Sequence, residues 1–430
     1  MRAAIYTLGC KVNQYETQAI EKLLRERGHT VTEFAAEADV YIVNTCSVTA
    51  VSGQKSRQII RRVRREHPGA VVAVCGCYAQ TVPADVRALG VDLIAGTGDR
   101  TGFVTLLEQA AERRTEAARE TLDDPRTRRT FELLPAGGLS GRTRAMLKVE
   151  DGCDNFCSYC IIPHARGPVR SEALPDALRQ ARELAADGVR EIVLTGIEIS
   201  SWGRDFRNGQ TLTDLTEAVC NAVPNVRVRL GSLEPRTVTA DFCRRLRVFP
   251  NLCPQFHLSL QSGCDETLKR MRRRYDTARY LESVRLLREA FDRPAITTDL
   301  ITGFPEETEE EFTRTLAFIR QCGFARMHIF PYSSRPGTPA ADRPQIPKAV
   351  KEARAARAKA VAERMRAEYL ADCVGETYEV LFEQAREGVF HGHAPNYADV
   401  YAPGTGLHTE CRAVRILSSD GEALYGEIVP

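Results

Sequence analysis

Two hydrophobic rhythms alternate from the first residues of the chain. Short apolar runs, "AAIYTL", "DVYIVNTC", "AVVAVCGC" and "VDLIAG", are separated by stretches such as "NQYETQAIEKLLRERG" and "SGQKSRQIIRRVRREHPG", in which apolar positions recur every three or four residues. The runs read as buried strands and the longer period as amphipathic helices. Their β-α-β order over residues 1–112 predicts an α/β unit, a doubly wound parallel sheet with helices on both faces. Residues 113–142 are charged and then rich in glycine and proline, the composition of a linker. From 143 the alternation resumes in "RAMLKV", "EIVLTG", "VRVRLGS", "FHLSLQ", "AITTDLI" and "ARMHIF", six βα steps that predict a partial barrel with its site at the carboxyl ends of the strands. A long charged helix ends this segment at 372, and short alternating runs over 373–430 predict a small β-barrel of about five strands.

At 430 residues the chain exceeds what one hydrophobic core holds. With 43% hydrophobic and 27% charged residues it has no apolar run of the roughly 20 residues that a membrane helix needs. The start, "MRAAIYTLGC", lacks the apolar stretch and cleavage site of a secretory leader, so a cytoplasmic protein without membrane attachment is expected. A formal net charge of +2 excludes a whole-molecule electrostatic argument for nucleic acid. In a reducing compartment, the 14 cysteines point to metal ligands, catalytic groups or core fillers before disulfides.

Their positions sort them. Cys153, Cys157 and Cys160 form a C-x3-C-x2-C run beside Tyr159, just after the first barrel strand. Three thiols can ligate three irons of a four-iron cluster and leave the fourth open, whereas zinc pairings usually come as two C-x2-4-C halves or as Cys/His sets. His164 alone is a poor completion of a zinc site. In the first segment Cys10, Cys46 and Cys77 each follow a different predicted strand, at the edge where doubly wound sheets gather their sites. The bland alternatives are chance loop cysteines and buried thiols; Cys75, within its strand, reads as core.

The C-x3-C-x2-C run after the first strand of a β/α barrel resembles the radical S-adenosylmethionine (SAM) enzymes. Two cysteine triads, one per segment, resemble the radical SAM methylthiotransferases over essentially the whole chain. The resemblance implies an amino-terminal domain over 1–112 with an auxiliary iron-sulfur cluster, a linker over 113–142, a radical SAM (βα)6-type barrel with its long helix over 143–372, and a TRAM-like barrel over 373–430. It implies two 4Fe-4S clusters: one on Cys153, Cys157 and Cys160, whose open iron SAM chelates before reductive cleavage to a 5'-deoxyadenosyl radical, and one on Cys10, Cys46 and Cys77 that carries the sulfur. Tyr159 falls where the family contacts the adenine. "TLGCKVNQYET" is most similar to the branch that modifies threonylcarbamoyladenosine beside the tRNA anticodon. The anticodon stem-loop is then the partner, with an electron donor such as flavodoxin or ferredoxin and a sulfur donor. Isopentenyladenosine tRNA or a ribosomal protein is the alternative substrate, and a non-catalytic metal-cluster RNA-binding protein the alternative of another class.

Candidate SAM contacts at the strand ends are Gly196 and Glu198 with Thr195; Ser232 and Glu234 with Arg236; Gln261 with Ser262; and Asp299 with Gly303. Glu234 and Gln261 are preferred. Basic residues bunch at Arg57, Arg61, Arg62, Arg64 and Arg65, at Arg142, Arg144 and Lys148, and at Arg270, Arg272, Arg273 and Arg274, the last set being the expected RNA contact. Residues 373–430 hold three Lys+Arg and nine Asp+Glu. Either a local face of His391, His393, Tyr397 and Arg412 binds RNA there, or this unit mainly packs on the barrel.

Overall fold

The protein is described here by a computed structural model covering residues 1–112, 119–137, 143–386 and 388–429. Strands β1 (Arg2–Thr7), β2 (Thr30–Thr32), β3 (Val40–Thr45), β4 (Val71–Gly76), β5 (Leu93–Ala95) and β6 (Arg119–Thr121) form one parallel sheet in the order β2-β1-β3-β4-β5-β6. β3 and β4 are buried along their whole length, as helix-covered strands must be. The chain order reverses between β1 and β3, the topological switch point at which such sheets place ligands. β6 lies within the segment expected to be a linker. Its three polar residues give no apolar signal, because an edge strand needs only backbone pairing with β5. Residues 113–118 and 138–142 of that segment lie outside the described residues.

The second unit runs through β7 (Arg144–Lys148), the short antiparallel pair β8 (Glu150–Asp151) and β9 (Arg170–Ser171), then β10 (Glu191–Thr195), β11 (Arg227–Leu230), β12 (Ser232–Leu233), β13 (Gln255–Leu258), β14 (Ala295–Thr302) and β15 (Arg326–Pro331). Parallel sheets β7-β10-β11 and β12-β13-β14-β15 follow on from each other at Gly231, so six βα units curve into a partial barrel. Among the described residues β15 and β7 do not pair. Helix Lys11–Glu26 of the first unit lies against β7. Its Tyr15 and Ala19 enter the barrel core, while Ile20 and Leu24 enter the core of the first sheet, so one helix serves both units.

Helix Lys348–Ala371 packs on β15 and leads to β16 (Thr377–Arg386), β17 (Val389–His393), β18 (Asp399–Pro403), β19 (Cys411–Ser419) and β20 (Leu424–Ile428), a closed barrel consistent with a TRAM unit. It docks on the amino ends of the larger barrel's strands. Arg144 makes a bidentate pair with Glu383 at 2.7 and 2.9 Å, Arg227 donates to the His393 carbonyl at 3.1 Å, and Arg229 donates to the Pro395 carbonyl at 3.0 Å. No described helix is long and apolar enough to cross a membrane.

Candidate active site

Cys10, Cys46 and Cys77 stand at the carboxyl ends of the neighbouring strands β1, β3 and β4, so the sheet order itself gathers them. Two glycines set their approach. A Cβ on Gly9, whose φ is +111°, would lie 2.9 Å from the Cys46 Cβ and 3.0 Å from its Sγ. At Gly76, with φ +96°, it would lie 2.5 Å from the Thr45 carbonyl. Only glycine fits either place. Burial pushes the Cys77 thiol up to about 12, and Cys10 and Cys46 push the same way; burial raises Cys46 as well. Left alone the Cys46 and Cys77 thiols stay protonated and inert; a thiophilic metal that displaces the protons suits the donor set. Cys75 is wholly buried in the sheet core.

In the barrel, Cys153, Cys157 and Cys160 follow β8 on a loop fastened at both ends. The Cys153 amide donates to the Gly167 carbonyl at 3.0 Å, and that of Cys160 to the Cys157 carbonyl at 3.0 Å. Gly152, with φ +89°, leaves no room for a Cβ against the Pro168 carbonyl. Burial pushes Cys160 up to about 12 and raises Cys153, so this triad suits a metal for the same reason. Arg273 reaches into the loop and donates to the Cys157 Sγ at 3.2 Å, a charge-assisted bond to the atom that would be a thiolate. Tyr159 packs beside Phe304 and Tyr332.

A buried ionic network joins the units between the triads. Glu16 accepts from Arg100 at 2.7 Å and from Arg166, while Arg166 also donates to Asn13 Oδ1 at 2.8 Å. Lys148 holds Asp151 at 3.2 Å. Burial alone would raise the Glu16 carboxyl, but Arg100, Arg166 and Lys148 pull it below the ordinary range. Helix Ile162–Arg166, which follows the barrel triad, packs against helix Cys77–Thr81, and the Arg166 charge acts on the Cys77 thiol.

The remaining expected contacts separate. Glu198 and Glu234 come together, Ser200 Oγ accepting from the Glu234 amide at 2.9 Å, and both face Arg273 or its neighbour Tyr275. Glu198 caps Ile199–Ser201, and Glu234 caps Pro235–Thr237 and binds Arg236 at 2.9 Å. Burial raises the Glu198 carboxyl. Gly196 abuts the Glu150 carboxylate, and Ser232 faces the barrel lumen. Gln261 adopts φ +66° and joins β14 through Asp299 and Ile301. Ser262 is fully buried, and Gly303 packs on Lys351.

The expected arginine face for RNA is divided. Arg272 and Arg274 are exposed, but Arg270 is held by Glu311 at 2.9 Å and Arg273 turns inwards onto Cys157. Arg144 and Lys148 are likewise taken by internal carboxylates, and Arg142 lies outside the described residues. In the small barrel His393 stacks on Tyr397 at 4.7 Å, and Arg229 lies 4.6 Å from the same ring; these residues pack on the larger barrel.

Sequence reasoning missed two features. Arg335 is partly buried, its Nε and Nη2 have no hydrogen-bond partner, and the Cys46 thiol acts on its charge. The second is a cavity of about 870 Å3 in the barrel lumen. Lys11, Gln14 and Gln18 of helix Lys11–Glu26 form one side, inward residues of β7, β10, β11, β13, β14 and β15 another, and Glu383, Gln384, Tyr397 and His408 the floor. Within it His257, Asp299 and His328, from three adjacent strands, hold ligand-type atoms within 4.8 Å of one another. Asp299 already pairs with both histidines, at 3.4 and 3.2 Å. A second such group is His391, His393 and Asp399 in the small barrel. The lumen residues come from separate parts of the chain, and only strand pairing assembles them.

Comparison with known proteins places this geometry. Residues 2–96 match "Uncharacterized protein family UPF0004", and residues 147–319 match the radical SAM superfamily. The chain is 39% identical over 409 residues, 94% of its length and 90% of the relative's, to the threonylcarbamoyladenosine tRNA methylthiotransferase MtaB of Bacillus subtilis strain 168. It is 37% identical over 387 residues, 88% of its length and 76% of the relative's, to the tRNA-2-methylthio-N(6)-dimethylallyladenosine synthase of Acidothermus cellulolyticus. Among solved structures, the radical SAM methyltransferase TsrM of Kitasatospora setae, with cobalamin and a [4Fe-4S] cluster bound, shares the fold, with a TM-score of 0.59, 17% identity, and 79% of this chain and 74% of that one covered. A fold with its cysteines at these strand ends, joined to relatives this close over nearly the full length, makes the chain a member of the radical SAM tRNA methylthiotransferase family.

Proposed function

We propose that the enzyme adds a methylthio group to carbon 2 of N6-threonylcarbamoyladenosine at tRNA position 37, using two 4Fe-4S clusters. The observation that carries this reading is the pair of cysteine triads: one is gathered at neighbouring strand ends, the other sits on one fastened loop, and helix Ile162–Arg166 after the second packs against helix Cys77–Thr81 of the first. An aromatic C–H carbon offers no easy polar route to sulfur, since hydride is a poor leaving group. Bound at these thiols, the clusters and SAM supply the one-electron chemistry and the sulfur group.

The chain's own residues divide the work. Cys153, Cys157 and Cys160 hold the cluster that binds SAM, with Arg273 fixing the Cys157 sulfur. Tyr159, Gly196, Glu198, Glu234 and Gln261 line the approach for SAM, while Ser232 faces the lumen. Cys10, Cys46 and Cys77 hold the second cluster, and Arg335 offers an unpaired guanidinium beside Cys46. Exposed Arg272 and Arg274 meet the anticodon stem through phosphate contacts. An electron donor and a sulfur donor complete the cycle. Among the relatives, the MtaB name supports the threonylcarbamoyl substrate and the dimethylallyladenosine name the other branch.

The test is nucleoside mass spectrometry of tRNA from cells lacking the gene and cells with it restored. The expected result is one methylthio unit on threonylcarbamoyladenosine, lost in Cys157→Ala and in Cys46→Ala. Product formed by Cys46→Ala would remove the second cluster from the reading.

A further inference from the structure

The lumen cavity has no part in holding either triad, yet it is built from all three units of the chain. We propose that it is the binding site for the N6 arm of the substrate adenosine, and that Lys11 pairs with the carboxylate that a threonylcarbamoyl arm carries. This rests on the threonylcarbamoyl reading above and deepens it.

Size and position fit. About 870 Å3 is within the roughly 300–1,000 Å3 of small-ligand sites. Lys11 follows Cys10 directly, so the cavity begins beside the amino-terminal triad. Gln14 and Gln18 stand three and seven residues on, the spacing of one helix face, and line the cavity with Lys11.

The charges select the ligand. Arg144 is matched by Glu383, Arg229 by Glu191 at 2.8 and 2.9 Å, and Asp299 by two histidines. Among the described residues, the side chains of Lys11 and Arg326 have neither a hydrogen-bond nor an ion-pair partner, though Lys11 feels the field of Arg229, Glu191 and Arg144. Lys11 lines the cavity, stays open to solvent there and has no partner of its own, so an anion that enters meets an unmatched cation. A hydrocarbon arm would strip water from Lys11 and return nothing; a carboxylate completes it. Of the two free cations Lys11 is the reader, because it follows Cys10 directly, whereas Arg326 starts β15.

The experiment measures Kd on the holoenzyme for anticodon stem-loops bearing the free-acid arm, its methyl ester, or an isopentenyl group. The wild type is expected to prefer acid over ester about ten-fold or more, since a site built for a polar group rejects an analogue that cannot satisfy it. In Lys11→Met and Lys11→Gln the two arms should bind within about two-fold of each other, and Lys11→Arg should restore most of the preference. A ratio taken within one preparation is insensitive to incomplete cluster loading, and binding needs no turnover. Unchanged discrimination in both neutral variants overturns the proposal. A wild type that methylthiolates the isopentenyl loop and not the acid defeats the threonylcarbamoyl reading instead.

Discussion

At the scale of single residues, the six cysteines were visible in the sequence because each stands next to a strand end or within a tight spacing. The groups that act on them were not. Arg273 lies 116 positions from Cys157, and nothing local distinguishes it from Arg272 or Arg274. Glu172 shows how burial leaves a thermodynamic mark with no sequence signal. Both its carboxyl oxygens lack partners, and burial first, then nearby Asp176, push its pKa from 4.5 up to about 8. The folded protein therefore keeps this acid neutral while the unfolded chain ionises it, so stability is lost as pH rises from about 4.5 towards 8. Glu172→Gln escapes that loss. Its melting temperature should gain on the wild type between pH 5 and pH 8, by the equivalent of about 2–4 kcal/mol at the upper end. A difference that stays constant over this range would mean that Glu172 is not held neutral.

Whole elements were legible wherever burial imposed a pattern. β1, β3 and β4 are apolar runs broken by Gly-Cys or Thr-Cys, and the sheet order then brings their ends together. β6 carried no such pattern and was read as linker. The barrel lumen was hidden for another reason. Its polar side chains alternate with core residues along β7, β13, β14 and β15, and an isolated strand does not reveal which face will be enclosed. Gly76 tests how the strand ends position the amino-terminal triad. In Gly76→Ala a methyl group enters a left-handed position facing the Thr45 carbonyl and Asn44 Oδ1, both 2.5 Å away. The expected cost is about 1–3 kcal/mol of stability, with iron lost from this triad ahead of the other. Melting curves and iron analysis of the variant check it; wild-type values in both would show that β4 tolerates the change.

At the scale of the molecule, three units share one helix, one ionic network and one cavity. Helix Lys11–Glu26 gives Tyr15 to the barrel core, Ile20 to the first sheet, Glu16 to Arg100 and Arg166, and Lys11 to the lumen. The small barrel, acidic overall, spends Glu383, His393 and Tyr397 on the amino ends of the larger barrel's strands, and so forms a floor beneath the cavity. The proposed function has two separate metal-binding centres, one on each cysteine triad, act on one substrate. Iron and labile-sulfide analysis of oxygen-free protein, with Mössbauer spectra, tests that claim most directly. The expected result is about eight irons per chain in two four-iron clusters, falling to about four in Cys46→Ala and to about four of the other kind in Cys157→Ala. A single four-iron cluster in the fully reconstituted wild type, or tetrahedral zinc at either triad, would contradict it.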